Sequence, residues 1–192
     1  MAKTEPITLW FQLEEDETAR WVQSAQAPRV GPLAELAAAC ANADAVIWLL
    51  DARTTSCFEV TLPPASARVQ ASALPYALED QLLGNLESLA LASVSLGGDR
   101  HGAAVTDRDA LVQAHARLVA AGVVPTAIVP DVLCLPWRED EWTLLLDGQR
   151  GWLRCGQALG FGFEAAELRA FLRQAAGNQA LPSRLCVFGT VL

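Results

Sequence analysis

Trp142-Thr143-Leu144-Leu145-Leu146-Asp147-Gly148-Gln149-Arg150-Gly151-Trp152-Leu153-Arg154-Cys155 reads as two apolar strands joined by an Asp-Gly turn. Short strands joined by a tight Gly-containing turn specify a β-hairpin. Ala158 to Phe163 adds a third strand, so the stretch forms a meander. A helix over Glu164 to Ala176 follows, with Leu168, Phe171, Leu172 and Ala175 on its inner face and Gly177-Asn178 as its stop. Leu185 to Phe188 then reads as an apolar strand.

The first 50 residues carry the same order. Ile7 to Leu13 alternates Leu9, Phe11 and Leu13 with Thr8, Trp10 and Gln12, and pairs across an acidic turn with Arg20 to Gln23. Gly31-Pro32 opens a helix bearing Leu33, Leu36, Ala37 and Cys40, with Pro at its first position. Val46 to Leu50 is a continuous apolar strand. Ala34-Glu35-Leu36 recurs as Ala166-Glu167-Leu168 in the matching helix. Two halves of one element order, with material between them, describe a duplicated ribonuclease H-like fold, the architecture of actin and the sugar kinases.

This α/β reading divides the chain into a first ribonuclease H-like half at 1–56, an inserted α/β subdomain at 57–137, and the start of a second half at 138–192. In the middle section Cys57 to Leu62 reads as a strand, followed by helical sequence in two pieces, the second starting at Pro75 and closing at Gly84. Leu89 to Leu96 and Gly102 to Thr106 form a hairpin around a turn-like stretch that includes His101. Thr106-x-x-Asp109 has the spacing of a capping box for a helix with Leu111, Ala114, His115, Leu118 and Val119 inward and Gly122 at its end. Val123 to Leu135, broken by Pro125 and Pro130, reads as strand and connector.

Composition sets the outer limits. With 52% hydrophobic residues in 192, the chain can bury a substantial core. A net charge of -8 opposes sequence-independent binding to nucleic acid or anionic lipid, which needs clustered Lys and Arg. Cys40, Cys57, Cys134, Cys155 and Cys186 stand far apart in or beside apolar runs and read as buried reduced thiols rather than a zinc site. The N-terminal residues lack a signal-peptide pattern, no run reaches the ~20 apolar residues of a membrane span, and the final apolar strand without a polar tail suggests a piece of a longer protein.

The chemistry of nucleotide hydrolysis is missing. Actin-type ATPases hold phosphates with two hairpins whose glycines let backbone N–H groups approach oxygen. The first hairpin here carries Glu14, Glu15, Asp16 and Glu17, has no glycine, and would repel a nucleotide. Asp147-Gly148 echoes the second but is an ordinary turn signal. No hydrolase elbow, phosphate-binding loop or zinc-protease helix motif occurs, and Gly160-x-Gly162 lies inside the meander. Glu139-Asp140-Glu141 reads as a solvated charge run. The sequence therefore assigns no catalytic, cofactor-binding or metal residues.

A binding surface remains as the candidate. The period of two puts Arg150, Trp152 and Arg154 on one face, opposite Gly151, Leu153 and Cys155. Trp between two Arg suits an interface hot spot, and equally suits a tryptophan covering a core edge under snorkelling arginines.

Ala73-Leu74-Pro75-Tyr76-Ala77-Leu78-Glu79-Asp80-Gln81-Leu82-Leu83 resembles the helix motif in the cytoplasmic domain of the type II secretion system protein L family, GspL. Ala104 to Leu111, Ile128 to Trp137 and Trp142 to Gly148 resemble the same family in the same order, most clearly over residues 57–163. The resemblance implies an actin-like domain on the cytoplasmic side of the bacterial inner membrane, in a single-pass protein. It implies a non-enzymatic scaffold that recruits the secretion ATPase GspE through its N-terminal domain, beside the platform proteins GspM and GspF, with a homodimer as a further arrangement. The rival readings are a PilM-type pilus-assembly protein that binds ATP and a short peptide, and an actin-fold ATPase or kinase fragment.

Overall fold

The computed structural model describes residues 6–14, 17–24, 26–82, 85–178 and 181–189. In chain order the elements are β1 (Thr8–Leu13), β2 (Thr18–Gln23), β3 (Arg29–Pro32), α1 (Leu33–Cys40), β4 (Ala45–Leu50) and β5 (Thr55–Thr61). Then come α2 (Ala67–Leu78), β6 (Leu89–Gly97), β7 (Arg100–Asp107), α3 (Arg108–Ala120) and β8 (Ala127–Pro130). The last are β9 (Glu141–Asp147), β10 (Arg150–Arg154), β11 (Gly160–Glu164), α4 (Leu168–Asn178) and β12 (Arg184–Gly189). The chain divides into two compact units, Met1–Leu50 with Asp109–Val129, and Asp51–Arg108 with Pro130–Leu192.

The first unit is a five-stranded sheet in the order β3-β2-β1-β4-β8. Alternation along β1 turns Leu9 and Phe11 inward, and parallel pairing sets them beside Val46 and Trp48 of β4. The Phe11 and Trp48 rings stack with centroids 6.3 Å apart. Leu36 of α1 and Leu118 of α3 complete the same core, both fully buried. Gly122, at φ +83°, lets the chain leave α3 in the left-handed conformation that glycine adopts without strain. Thr126 then binds β4 twice, its N–H donating to the Val46 carbonyl at 2.7 Å and its hydroxyl oxygen accepting from the Val46 N–H at 3.0 Å.

The second unit holds two sheets. The three-stranded sheet β5-β7-β6 packs α2 around Val60, Leu62, Leu74, Leu78, Ala103 and Val105. The four-stranded sheet runs β11-β10-β9-β12, with β9 to β11 an antiparallel meander and β12 parallel to β9. Helix α4 covers one face, where Phe171 stacks on the core residue Phe163 at 4.9 Å. Among the described residues no helix is long and apolar enough to cross a membrane.

Several local expectations are corrected. Helix α2 runs through Pro75 instead of restarting there. A proline inside a helix forfeits one hydrogen bond, but Leu74 and Leu78, one turn apart, both reach the core only on a continuous helix. The expected stop at Gly84 lies outside the described residues. Pro32 closes β3 and precedes α1. Thr106 lies in β7 and donates to the Thr54 carbonyl instead of capping α3. A capping box does occur at Glu164 and Glu167. On α3 the buried direction is set by Leu111, Ala114 and Leu118, so His115 and Val119, turned roughly 100° from 114 and 118, face outward. His101, expected in a turn, is a buried residue of β7. Glu141 is also buried, 3.7 Å from Arg184, so the acidic run at 139–141 is only partly solvated. The thiols are all free, but of the five expected to be buried only Cys57 is; Cys40, Cys155 and Cys186 are half-buried and Cys134 is exposed.

Leu118→Ala should remove about 2–5 kcal/mol of stability, because the cavity lies where two helices meet the sheet of the first unit. A urea unfolding curve would show it as a lower midpoint; an unchanged midpoint would mean that α3 does not seal this core.

Candidate partner interface

The residues singled out for partner binding lie on β10, whose alternation buries Gly151 and Leu153 and leaves Arg150, Trp152 and Arg154 half-buried on the opposite face. Leu153 points to the core under α4. The other face is covered from within the same unit by two short segments, the turn after Asp51 and the 3-10 turn Asp131–Cys134. Gly162 shows how close they come: a Cβ there would sit 2.6 Å from the Ala52 carbonyl carbon, and the Gly162 N–H donates to the Ala52 carbonyl at 3.2 Å.

Trp152 is held by this cover. Its indole N–H donates to Oδ2 of Asp131 at 2.9 Å, while Oδ1 of the same carboxylate accepts the Ala52 N–H at 3.0 Å. Arg154 is held still more tightly. Its guanidinium donates to the carbonyls of Leu133 and Leu135 at 2.6 Å, and also to those of Gly156 and Gln157. Burial pushes its pKa below the ordinary arginine value, against the pull of Cys134, Cys57 and Glu59. The same burial, with Asp131 nearby, raises the Cys57 thiol to about 12. Arg150 pairs along the meander with Asp147 and Glu164, at the end where an ion network sits. The structure thus joins Trp152 and Arg154 in one internal hydrogen-bonded cluster.

That network is Asp51, Arg53 and Glu164. Arg53 reaches Asp51 at 2.6 Å and Glu164 at 2.8 Å. Burial alone would raise the Asp51 carboxyl, but the Arg53 hydrogen bonds and charge outweigh it and hold the group below the ordinary carboxylate range. Neither this network nor Asp131 was singled out in the sequence. The available signal was an acidic residue placed just where a strand ends, at Leu50-Asp51 and Pro130-Asp131. Of the phosphate-loop residues, Glu15 and Asp16 lie outside the described ones, and Glu14 pairs with Arg20 at 3.1 Å. Gly148 supplies the left-handed corner of the β9–β10 turn at φ +61°.

A family model described as type II secretion system (T2SS), protein L, matches residues 2–188. Type II secretion system protein L of Pectobacterium carotovorum subsp. carotovorum is 30% identical over 97 residues, 50% of this chain and 23% of that protein. Its counterpart in Pseudomonas aeruginosa is 33% identical over 135 residues, 65% and 34% of the two chains. The chain therefore spans about a quarter to a third of the length of these relatives. The cytoplasmic domain of EpsL, an inner membrane component of the type II secretion system of Vibrio cholerae, superposes with TM-score 0.74 at 22% identity, covering 97% of this chain and 90% of that one. The PilM-PilN type IV pilus biogenesis complex gives TM-score 0.55 at 14% identity, over 88% and 65% of the chains. A Bacteroides thetaiotaomicron protein with an actin-like ATPase fold and unknown function gives 0.52 at 11%, over 98% and 84%. The fold is the actin-like one that the duplicated element order anticipated.

Two outcomes follow for the cluster. Arg154→Lys should cost about 2 kcal/mol, since one ammonium cannot serve carbonyls spread around a planar fork, and should lower the melting temperature by ~4–8 °C. Retention of the wild-type melting temperature would return this face to the list of docking surfaces. A carboxyl whose pKa folding depresses adds stability above its unfolded value and loses it as pH falls through the lowered one. The stability gap between wild type and Arg53→Gln should therefore be constant near neutrality and narrow on acidification below ~pH 4; a gap that persists at low pH would remove Asp51 as its source.

Proposed function

Because the chain belongs to the type II secretion system protein L family, we propose that it is the cytoplasmic scaffold by which such a protein recruits the secretion ATPase GspE to the inner-membrane platform. The observation that carries this reading is the family match over residues 2–188, on a chain that superposes along 97% of its length on the cytoplasmic domain of a secretion-system inner membrane component. In this proposal the protein turns over no substrate. Support comes from the first hairpin, where Glu14, Glu15, Asp16 and Glu17 replace the glycine-bearing loop that would admit phosphate oxygens. A net charge of -8 favours a basic protein surface as partner over a polyanion.

Recruitment by a scaffold is binding and orientation. A scaffold holds a partner at a fixed angle to the membrane, and passes on the partner's movements, only as far as its own packed elements resist bending. GspM and GspF are the proposed neighbours of the whole protein within the platform, and homodimerisation is the proposed way in which two such domains would present paired sites.

Calorimetric titration with the N-terminal domain of GspE, and in parallel with magnesium-ATP, tests the reading. Heat with the ATPase domain and none with ATP is the expected result. Saturable ATP binding without binding of the ATPase domain would overturn it in favour of a PilM-type nucleotide-binding protein.

A further inference from the structure

A cleft of about 290 Å³ opens within the second unit. Glu59 of β5 and Arg100 of β7 line it from the three-stranded sheet, and the loop entering β9, from Trp137 to Glu141, lines it from the four-stranded one. Its charges do not balance: the carboxylates of Glu59, Glu139, Asp140 and Glu141 stand against two guanidiniums, those of Arg100 and Arg138. Arg100 is committed to Glu59 at 2.8 Å, and the other oxygen of Glu59 accepts the Ala158 N–H at 2.9 Å. Asp140 is committed as well, its Oδ1 accepting the Ser183 N–H at 3.0 Å.

Glu141 is the carboxylate with the poorest compensation. Its side chain is 9% exposed, yet its ion pair with Arg184 spans 3.7 Å, beyond hydrogen-bond reach, and Arg184 itself is 66% exposed. The Cys186 thiol beside it is a weak donor. A buried carboxylate held so loosely keeps much of its desolvation cost, and a closer cation would offset it. The same cleft carries an aromatic wall. Trp142 is buried in the core under α4, whereas Trp137 is 38% exposed. An indole face beside carboxylates is the surroundings that a cation favours. Cys155, which also lines the cleft, is no nucleophile: burial first, and then the charge of Glu59, pushes its thiol up to about 12.

We propose that this cleft receives one arginine side chain from a partner protein, its guanidinium lying on the Trp137 indole and donating to Glu141 and Glu139. The excess of carboxylates selects a cation, and the net charge of -8 selects a basic surface to carry it. A planar fork of donors can serve two carboxylates while stacking flat on an indole, which an ammonium, a point charge, cannot do. The volume lies at the small end for ligand clefts and suits one side chain better than a whole cofactor. Among the described residues no group of His, Cys, Asp and Glu is placed to hold a metal ion in its stead. The inference goes beyond the scaffold reading, because it names the anchor that a partner of this cleft carries and does not depend on which ATPase is recruited.

Nuclear magnetic resonance titration of the 192-residue chain with the blocked tripeptide acetyl-Gly-Arg-Gly-amide tests it. The Trp137 indole and Glu141 backbone N–H signals should shift saturably, with half-saturation at about 1–10 mM, as suits a single side chain. The same peptide with citrulline or lysine in place of arginine should bind at least ~5-fold more weakly. Trp137→Leu and Glu139→Gln, both at exposed positions, should each weaken arginine-peptide binding at least ~3-fold and leave the melting temperature unchanged. Absence of these shifts, equal binding of the citrulline or lysine peptide, or binding untouched by both variants would overturn the proposal. Free arginine, whose own carboxylate the acidic rim repels, should bind more weakly than the blocked peptide; tighter binding would mark a small-molecule site and overturn the assignment to a partner's side chain. Saturable arginine-peptide binding in a chain that gives no heat with the GspE domain would leave this inference standing and fail the recruitment reading alone.

Discussion

The carboxylate of Asp131 fixes the second unit by accepting two hydrogen bonds from segments that are remote in sequence, the Ala52 N–H and the Trp152 indole. Neither donor has a sheet partner in that position, and a half-buried donor left unpaired costs about 1–3 kcal/mol. One side chain therefore satisfies a turn and a strand together. Arg154 does the converse, its fork donating to carbonyls of the 3-10 turn's exit and of the loop before β11. With these two groups in place the cover over the β10 face cannot slide, and Gly162 is needed because backbone lies where a side chain would project.

This cover explains why the fold was easier to read than the site. Strands and helices were legible because periodicity reports burial: Leu9 and Phe11 alternate along β1, Leu168, Phe171, Leu172 and Ala175 recur at helical spacing, and each set packs in or against a core. Duplication was legible because the same order occurs twice. The misreadings came where tertiary contacts outrank local rules. Pro75 does not break α2 because Leu74 and Leu78 hold both sides of it, and Thr106 serves a neighbouring strand's carbonyl instead of its own helix.

The Arg150, Trp152 and Arg154 face was read correctly as a face and left undecided as to purpose. Sequence spacing can say which residues point the same way along one strand. It cannot say what a segment 20 or 100 residues away will lay over them, and here residues 131 and 52 supplied the cover. Asp131 and Asp51 drew no attention because a single acid at a strand end is common and surface placement is its usual fate. The fixed geometry that makes them important appears only once several strands are assembled.

A tryptophan flanked by arginines is conspicuous in sequence for the same reason that it is useful inside this unit. Both side chains combine apolar bulk with directional donors, so they suit any polar seam that has to exclude water, whether between two proteins or between two segments of one. What distinguishes the cases is where the donors go. The Trp152 indole and the Arg154 fork spend their hydrogen bonds on Asp131 and on backbone carbonyls of the same chain. Moving them to a partner would leave those acceptors unpaired at a cost comparable to the gain. Surfaces available to partners are better sought among residues with no such internal obligation, where apolar area is exposed, as it is at Trp137.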